Sequence, residues 1–333
     1  MKVNAVVDKS YNIKEYEVDP TWKQYLSSGF VAYRKNWEKA SKRFLFEFPL
    51  CVEIESSYFC NLKCPMCARE MIETKDMEGT MSSSLYNKII TEAEKNKMPS
   101  IMLAHEGEPL TNPFIADMVK QASEAGIMDI WLHTNANLLT EDMSEKLIRN
   151  GLTKINFSVD AFSEETYNKV RVGGDYNKVI RNIEGFLKIK DQLKKKYIRV
   201  RVSFVAMDTN MHEMGGFFEF WKDKVNLICF QDLIDFSKFD NKGLAANKHS
   251  DYFCNRPWQL LIIRNNGDVV PCGHPLQNYK PEDYLLGNLN INTIRECWHS
   301  KKLTELREIL LQNKHYLKAF CNACVSSYKP LAD

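Results

Sequence analysis

The chain has 333 residues, 44% of them hydrophobic, enough for one large domain or a large and a small one around a packed core, and disorder is excluded. Its 45 Lys and Arg against 43 Asp and Glu leave a net charge of +2, which argues against a nucleic-acid or acidic-membrane partner, since those are held through a surplus of cations on one face. No apolar run reaches the ~18–20 residues that span a bilayer and the first residues lack a signal-peptide core, so a cytoplasmic setting is expected, where the ten cysteines bind or react rather than form a disulfide framework.

Residues 1–49 are mixed in charge and rich in aromatics, Trp22, Tyr25, Phe30, Tyr33 and Trp37 among them, and are expected to wrap the body of the protein. From residue 50, strand-like runs alternate with helix-like ones: LCVEIESS (50–57), SIMLAH (100–105), MDIWLH (128–133), KINFSVD (154–160), YIRVRVSFVAM (197–207) and VNLICFQ (225–231). Between them SSLYNKIITEAEKN (83–96) opens on a Ser cap and sets Leu85, Ile89 and Ala93 on one face. Two further helical segments end on Gly126 and Gly151. Six β/α repeats over 50–232 predict a parallel sheet curled into an open barrel, two units short of a closed eight-stranded one.

Period-2 alternation sorts the strand residues. Val52, Ile54, Ile130, Leu132, Ile155, Phe157, Val159, Val200, Val202 and Phe204 share a face suited to packing under helices. The other face carries Glu53, Glu55, Trp131, His133, Asn135, Asn156, Ser158, Asp160, Arg201 and Ser203, too polar for a dry core and suited to a polar ligand inside the barrel. Cys229 shares parity with Gln231, so the two face the same way. Cys51 and Cys297 read as packing residues.

Residues 233–333 change character. WQLLIIRNNGDVVPCGH holds two apolar runs joined by Asn266-Gly267, a hairpin signal, with Cys254 before it and Cys272 just after. A Gly-Asn turn, an amphipathic helix over TIRECWHSKKLTELREILLQ, and a C-x2-C pair, Cys321 and Cys324, follow.

Cys60, Cys64 and Cys67 form a C-x3-C-x2-C run that chance would place in such a chain in about one sequence in a hundred. Thiolates at this density select zinc or iron–sulfur clusters. Zinc generally takes four ligands in two close pairs, whereas three with no adjacent fourth leave one iron of a cubane open to an outside ligand.

CNLKCPMC after a predicted strand resembles the signature of the radical S-adenosylmethionine (SAM) superfamily, in which three cysteines hold a [4Fe–4S] cluster and SAM chelates the fourth iron. Other landmarks match in order: GEP (Gly107, Glu108, Pro109), HTNAN (His133–Asn137) with Ala136 where relatives carry Gly, NFSVDA (Asn156–Ala161) with its S-x-D, and Arg171. The resemblance implies a partial (β/α)6 barrel over 50–232, with Cys60, Cys64 and Cys67 as cluster ligands. It implies Met66, Gly107, Glu108, Thr134, Asn135, Ser158, Asp160 and Arg171 as the residues that hold SAM. The tract 233–333 is similar to the SPASM/twitch extension, here a small hairpin-plus-helix domain in which Cys254, Cys272, Cys321 and Cys324 would close a second, auxiliary [4Fe–4S] cluster; zinc on the same four is the structural alternative. The spacing is very similar to that of the butirosin-type aminocyclitol dehydrogenases.

The chemistry so implied is cleavage of SAM to a 5′-deoxyadenosyl radical by an electron from a low-potential donor, a flavodoxin or ferredoxin, and hydrogen abstraction from a hydroxyl-bearing carbon of a small polar substrate, a sugar or aminocyclitol. Oxidation, with the electron passing to the auxiliary cluster, is the favoured outcome. An epimerase with Cys229 as hydrogen donor and a peptide-modifying maturase are the alternatives, though 1–49 is too short for a winged-helix peptide-recognition domain. Candidate catalytic residues are Cys229, Arg201, Glu55 and His105, the last standing where relatives often have Gly. The plainer reading of Arg201 is a buried ion pair with Glu53 or Glu55.

Overall fold

The computed structural model describes residues 4–8, 13–71, 79–239, 254–273 and 279–327. The elements in chain order are strands β1 (Asn4–Asp8) and β2 (Ile13–Glu17), helix α1 (Ser28–Ser41), β3 (Cys51–Ile54), a one-turn helix α2 (Ala68–Met71) and α3 (Ser83–Lys95). There follow β4 (Ser100–Leu103), α4 (Ile115–Glu124), β5 (Asp129–Thr134), α5 (Glu141–Arg149), β6 (Lys154–Ser158), α6 (Glu164–Val170), α7 (Tyr176–Gln192), β7 (Arg199–Ala206), α8 (Met214–Trp221) and β8 (Leu227–Asp232). The C-terminal tract holds β9 (Leu260–Ile263), β10 (Asp268–Val270), α9 (Pro281–Tyr284), β11 (Gly287–Asn288), α10 (Ile294–Trp298), α11 (Lys301–Leu311) and α12 (Ala319–Ser327).

Strands β3 to β8 pair in parallel, each with the next, and so form the six predicted β/α units. The order β1-β2-β8-β7-β6-β5-β4-β3-β9-β10-β11 shows why the barrel stays open: β8 is taken by β2 and β3 by β9, so the first and sixth strands do not meet. Helix starts follow the sequence signals. Ser82 accepts a hydrogen bond from the Leu85 amide and Thr140 one from Met143, while Gly126 and Gly151 end their segments at φ 78° and 103°.

The apolar strand face is fully buried under the helices: Val52, Ile54, Ile130, Leu132, Ile155, Phe157, Val200, Val202 and Phe204 have no exposed surface. At the end of the barrel where the strands begin, Trp22 and Phe30 from the N-terminal segment close on the Arg199 guanidinium at 5.1 and 4.9 Å. Arg199 is also paired with Asp129, which gives this buried cation its counter-charge.

The C-terminal tract continues the same sheet through the β3–β9 pair, and its hairpin turns at Gly267 with φ 94°. The single helix expected after residue 292 is two. Thr293 and Glu296 form a reciprocal capping box on α10, and the Ser300 side chain caps α11 separately. Among the described residues no helix is long and apolar enough to cross a membrane.

Candidate active site

After β3 the chain enters the loop that carries Cys60, Cys64 and Cys67. Its backbone is tied to the loops after β4 and after α6: the Glu108 amide donates to Phe59 O at 2.8 Å and the Lys63 amide to Val172 O at 2.8 Å. Gly107 is required by this contact, because a β-carbon there would lie 2.0 Å from the Ser57 carbonyl oxygen. The three thiols are close enough to raise one another's pKa. Burial pushes the Cys67 thiol up to about 11, with Cys64 and Cys60 adding to the shift. At Cys64 burial also raises the thiol, but Arg171, with Nη1 at 3.7 Å from Sγ, opposes it.

The motif residues interlock. Glu108 accepts hydrogen bonds from Thr134 Oγ1 at 2.6 Å, the Asn135 amide at 2.8 Å and the Leu110 amide at 3.1 Å. Asn135 reaches Asn61 in the cysteine loop at 3.0 Å. Ala136, where relatives carry Gly, adopts φ 61°, the left-handed conformation glycine enters without penalty. Asp160, also left-handed at φ 61°, is ion-paired with Arg171 and accepts from the Val205 amide at 2.8 Å.

A cleft of about 420 Å³ joins these parts. Its walls include Cys60, Cys64, Cys67, Met66, Gly107, Glu108, Thr134, Asn135, Ser158 and Arg171. They also include Glu53, Met102, His105, His133, Val205, Gln231 and Arg256, so residues of the first and sixth barrel strands face one space. Asp160 is wholly buried behind Arg171. The donor set fits a [4Fe–4S] cluster with SAM: three soft thiols converge beside a guanidinium, with polar groups on the adjoining wall.

The other candidates lie deeper. Arg201 pairs with Glu15 of β2 at 3.0 Å and donates to Asn156 at 2.7 Å, rather than pairing with Glu53 or Glu55. The reason is competition: Glu53 already accepts from His105 Nδ1 at 3.1 Å and Arg256 Nη1 at 3.4 Å, and Glu55 accepts from the Asn265 amide at 3.1 Å. Cys229 is fully buried, opposite Glu15 and next to Ser203, with Arg201 opposing the rise that burial imposes on its thiol. Glu55, Arg201 and Cys229 are not on the cleft wall, whereas His105 is. Burial disfavours a charge on His105, but the Glu53 hydrogen bond and the Glu106 and Glu55 carboxylates outweigh it and raise its pKa. His133, stacked on Trp131, is instead held well below the ordinary range by burial and by Arg201, Lys154 and Arg256.

The sequence reading left out Glu15, Lys154 and Arg256. Parity with Asn156 and Ser158 assigns Lys154 to the interior; the other two depend on long-range pairings that no local pattern announces. In the C-terminal tract Cys254, Cys272, Cys321 and Cys324 come together: burial drives the Cys321 thiol far up and the other three add to it. A thiol with three others around it fits a closed cluster. This site abuts the cleft, since Gly273 lies where a β-carbon would be 3.4 Å from His105 Cε1 and 3.8 Å from Glu53 Oε1.

Residues 54–202 match the family model described as the Radical SAM superfamily, and 254–325 the SPASM iron–sulfur cluster-binding domain. The chain is 31% identical over 261 residues to a probable GTP 3′,8-cyclase of Methanococcus vannielii, covering 78% of this chain and 80% of that one. It is 26% identical over 317 residues to the tungsten-containing aldehyde ferredoxin oxidoreductase cofactor-modifying protein of Pyrococcus furiosus, covering 83% and 86%. Among solved structures, BtrN in complex with AdoMet and 2-DOIA superposes with a TM-score of 0.56 at 18% identity, covering 84% of this chain and 92% of that one. anSMEcpe with bound AdoMet gives 0.59 at 17%, covering 85% and 89%. These two structures share the fold.

Proposed function

This chain belongs to the radical SAM superfamily and carries a SPASM iron–sulfur domain, and from that premise we propose that it oxidises a hydroxyl-bearing carbon of a small polar substrate such as a sugar or aminocyclitol. Its cofactors are SAM and [4Fe–4S] clusters, which when bound supply a hydrogen-abstracting 5′-deoxyadenosyl radical and a one-electron acceptor.

The rest falls to the protein. Cys60, Cys64 and Cys67 hold the first cluster. Glu108, fixed by Thr134 and Asn135, presents a carboxylate toward the SAM ammonium, and Arg171, locked by Asp160, a guanidinium toward the SAM carboxylate; Met66 and Ser158 line the same cleft. Cys254, Cys272, Cys321 and Cys324 hold the second cluster. The substrate lies toward Glu53, His105, His133, Gln231 and Arg256, whose hydrogen-bonding groups suit hydroxyls and amines. Arg201 and Glu55 support that wall from beneath. The reductant is a flavodoxin or ferredoxin.

The observation that carries oxidation over other outcomes is the contact between the cleft and the second cysteine site, through Gly273 against His105 and Arg256 against Glu53. An electron acceptor next to the substrate suits dehydrogenation. Epimerisation has one feature in its favour, the inward-facing Cys229 beside Arg201. Anaerobic incubation with SAM, dithionite and carbon-deuterated sugars or aminocyclitols tests the proposal. Deuterium in 5′-deoxyadenosine with a ketone product supports it; recovery of only the inverted alcohol, with a solvent hydrogen, replaces it by epimerisation.

A further inference from the structure

His105 and Glu53 form a dyad for which the motifs have no role. His105 is inserted between the end of β4 and the Gly107–Glu108 turn, and its side chain is 3% exposed. Nδ1 is 3.1 Å from Glu53 Oε1, so a carboxylate fixes the Nδ1–H tautomer and leaves the Nε2 lone pair as an acceptor. Among the described residues Nε2 is buried with no hydrogen-bond partner; Glu106 Oε1 is 3.9 Å away and has no proton to give when ionised. His105 lines the cleft, and an unpartnered buried imidazole nitrogen has a cost in desolvation that a ligand hydroxyl reaching it would remove.

The dyad is braced from the second cluster's side. Arg256, two residues after Cys254, donates to Glu53 Oε2 at 3.4 Å, and Gly273, next to Cys272, lies where a β-carbon would be in van der Waals contact with His105 Cε1 and Glu53 Oε1. Both chain segments that bring single cysteines to that cluster therefore touch the same histidine–carboxylate pair.

We propose that His105 accepts the hydroxyl proton of the substrate radical, with Glu53 as its positioning residue, so that proton and electron leave the substrate at one wall of the cleft. This rests on the dehydrogenase reading above. The step balances: once the carbon-bound hydrogen atom has been lost to the radical that bound SAM would supply, the O–H bond breaks with its proton going to His105 Nε2, the C–O bond becomes C=O, and the one electron released would be taken by an iron–sulfur acceptor. The proton then goes to solvent. Loss of the hydrogen atom makes the hydroxyl far more acidic than in the parent alcohol, so an imidazole suffices as base.

The holoenzyme with a carbon-deuterated substrate that it oxidises is the test, using His105→Asn, His105→Gln and Glu53→Gln. Deuterium transfer to 5′-deoxyadenosine is expected to continue in the His105 variants while ketone falls about a hundredfold, with a smaller loss in Glu53→Gln. A second readout does not involve turnover: 15N-histidine NMR of the full chain reports the His105 tautomer and titration. Glu55 and Glu106 face His105 as well as Glu53, while Arg256 faces Glu53 and Arg264 faces Glu55; in Glu53→Gln the titration moves to lower pH and the acidic limb of ketone formation moves with it. Deuterium transfer and ketone lost in equal proportion, ketone unchanged, or a titration that Glu53→Gln does not move would each overturn the assignment. If the His105 variants do not fold, the Glu53→Gln titration and pH profile decide it. Wild-type enzyme that oxidises no alcohol would instead remove the dehydrogenase reading itself.

Discussion

The ammonium nitrogen of Lys154 lies 3.8 Å from the centre of the Trp131 ring, inside the barrel and 5% exposed as a residue. The ring favours the charge, yet burial and the guanidinium of Arg201 dominate and lower the Lys154 pKa to about 7, against the pull of Glu15. The unfolded chain therefore holds a proton between about pH 7 and pH 10.4 that the folded chain has lost, and stability from this group rises with pH across that window. Lys154→Met is expected to be more stable than the wild type by the widest margin below pH 7, and the margin should shrink by about 1.4 kcal/mol per pH unit above it. Paired denaturant titrations at several pH values measure this; a margin independent of pH would show that Lys154 is not the group.

Gly107→Ala should displace the cysteine loop, since its β-carbon would meet the Ser57 carbonyl at 2.0 Å. A destabilisation of about 2–3 kcal/mol is expected, with loss of iron from the first site. Thermal unfolding together with iron content after anaerobic reconstitution checks both effects.

Cys321→Ala should lower bound iron by about half, because one cluster site of two is opened. SAM cleavage should persist while ketone formation is lost. Zinc at this site in the wild type, found by elemental analysis, would exclude a redox role for it.

Asp160→Asn isolates charge from shape, as Asn accepts the φ of 61° found there. It leaves Arg171 buried without its carboxylate, and a loss of about 3 kcal/mol is expected together with weaker SAM binding. Calorimetric titration with SAM on the reconstituted chain measures the second effect.

Cys229→Ala should cost about 1 kcal/mol for a small cavity and leave ketone formation intact, since the thiol lies beneath the cleft. Loss of turnover with retained folding would return Cys229 to the position of hydrogen donor.

Much of this architecture is legible in the primary structure because its signals are local. Alternation along KINFSVD separates Ile155 and Phe157 from Asn156 and Ser158, and the structure buries the first pair under helices and turns the second inward. Cysteine spacing separates the two thiol sets without reference to any fold. The partner of Arg201 is beyond such reading: Glu15 reaches it through an antiparallel pairing of β2 with β8, more than 200 residues apart, and nothing in IKEYE announces that partner. Arg256 and Gly273 reach Glu53 and His105 only through the parallel pairing of β9 with β3. The break between α10 and α11 has one local signal, Ser300 as a cap, but apolar spacing alone runs across it.

The N-terminal hairpin covers a sheet edge as well as supplying a charge. A parallel sheet ending at β8 would offer a row of bare amides and carbonyls to any passing strand, including another copy of itself. β2 occupies that row over five residue pairs and hands the exposed margin on to the short β1. Because the same strand delivers Glu15 to Arg201, trimming the chain before residue 20 would do two things at once: create a sticky flank that favours self-association, and strand a cation inside the barrel.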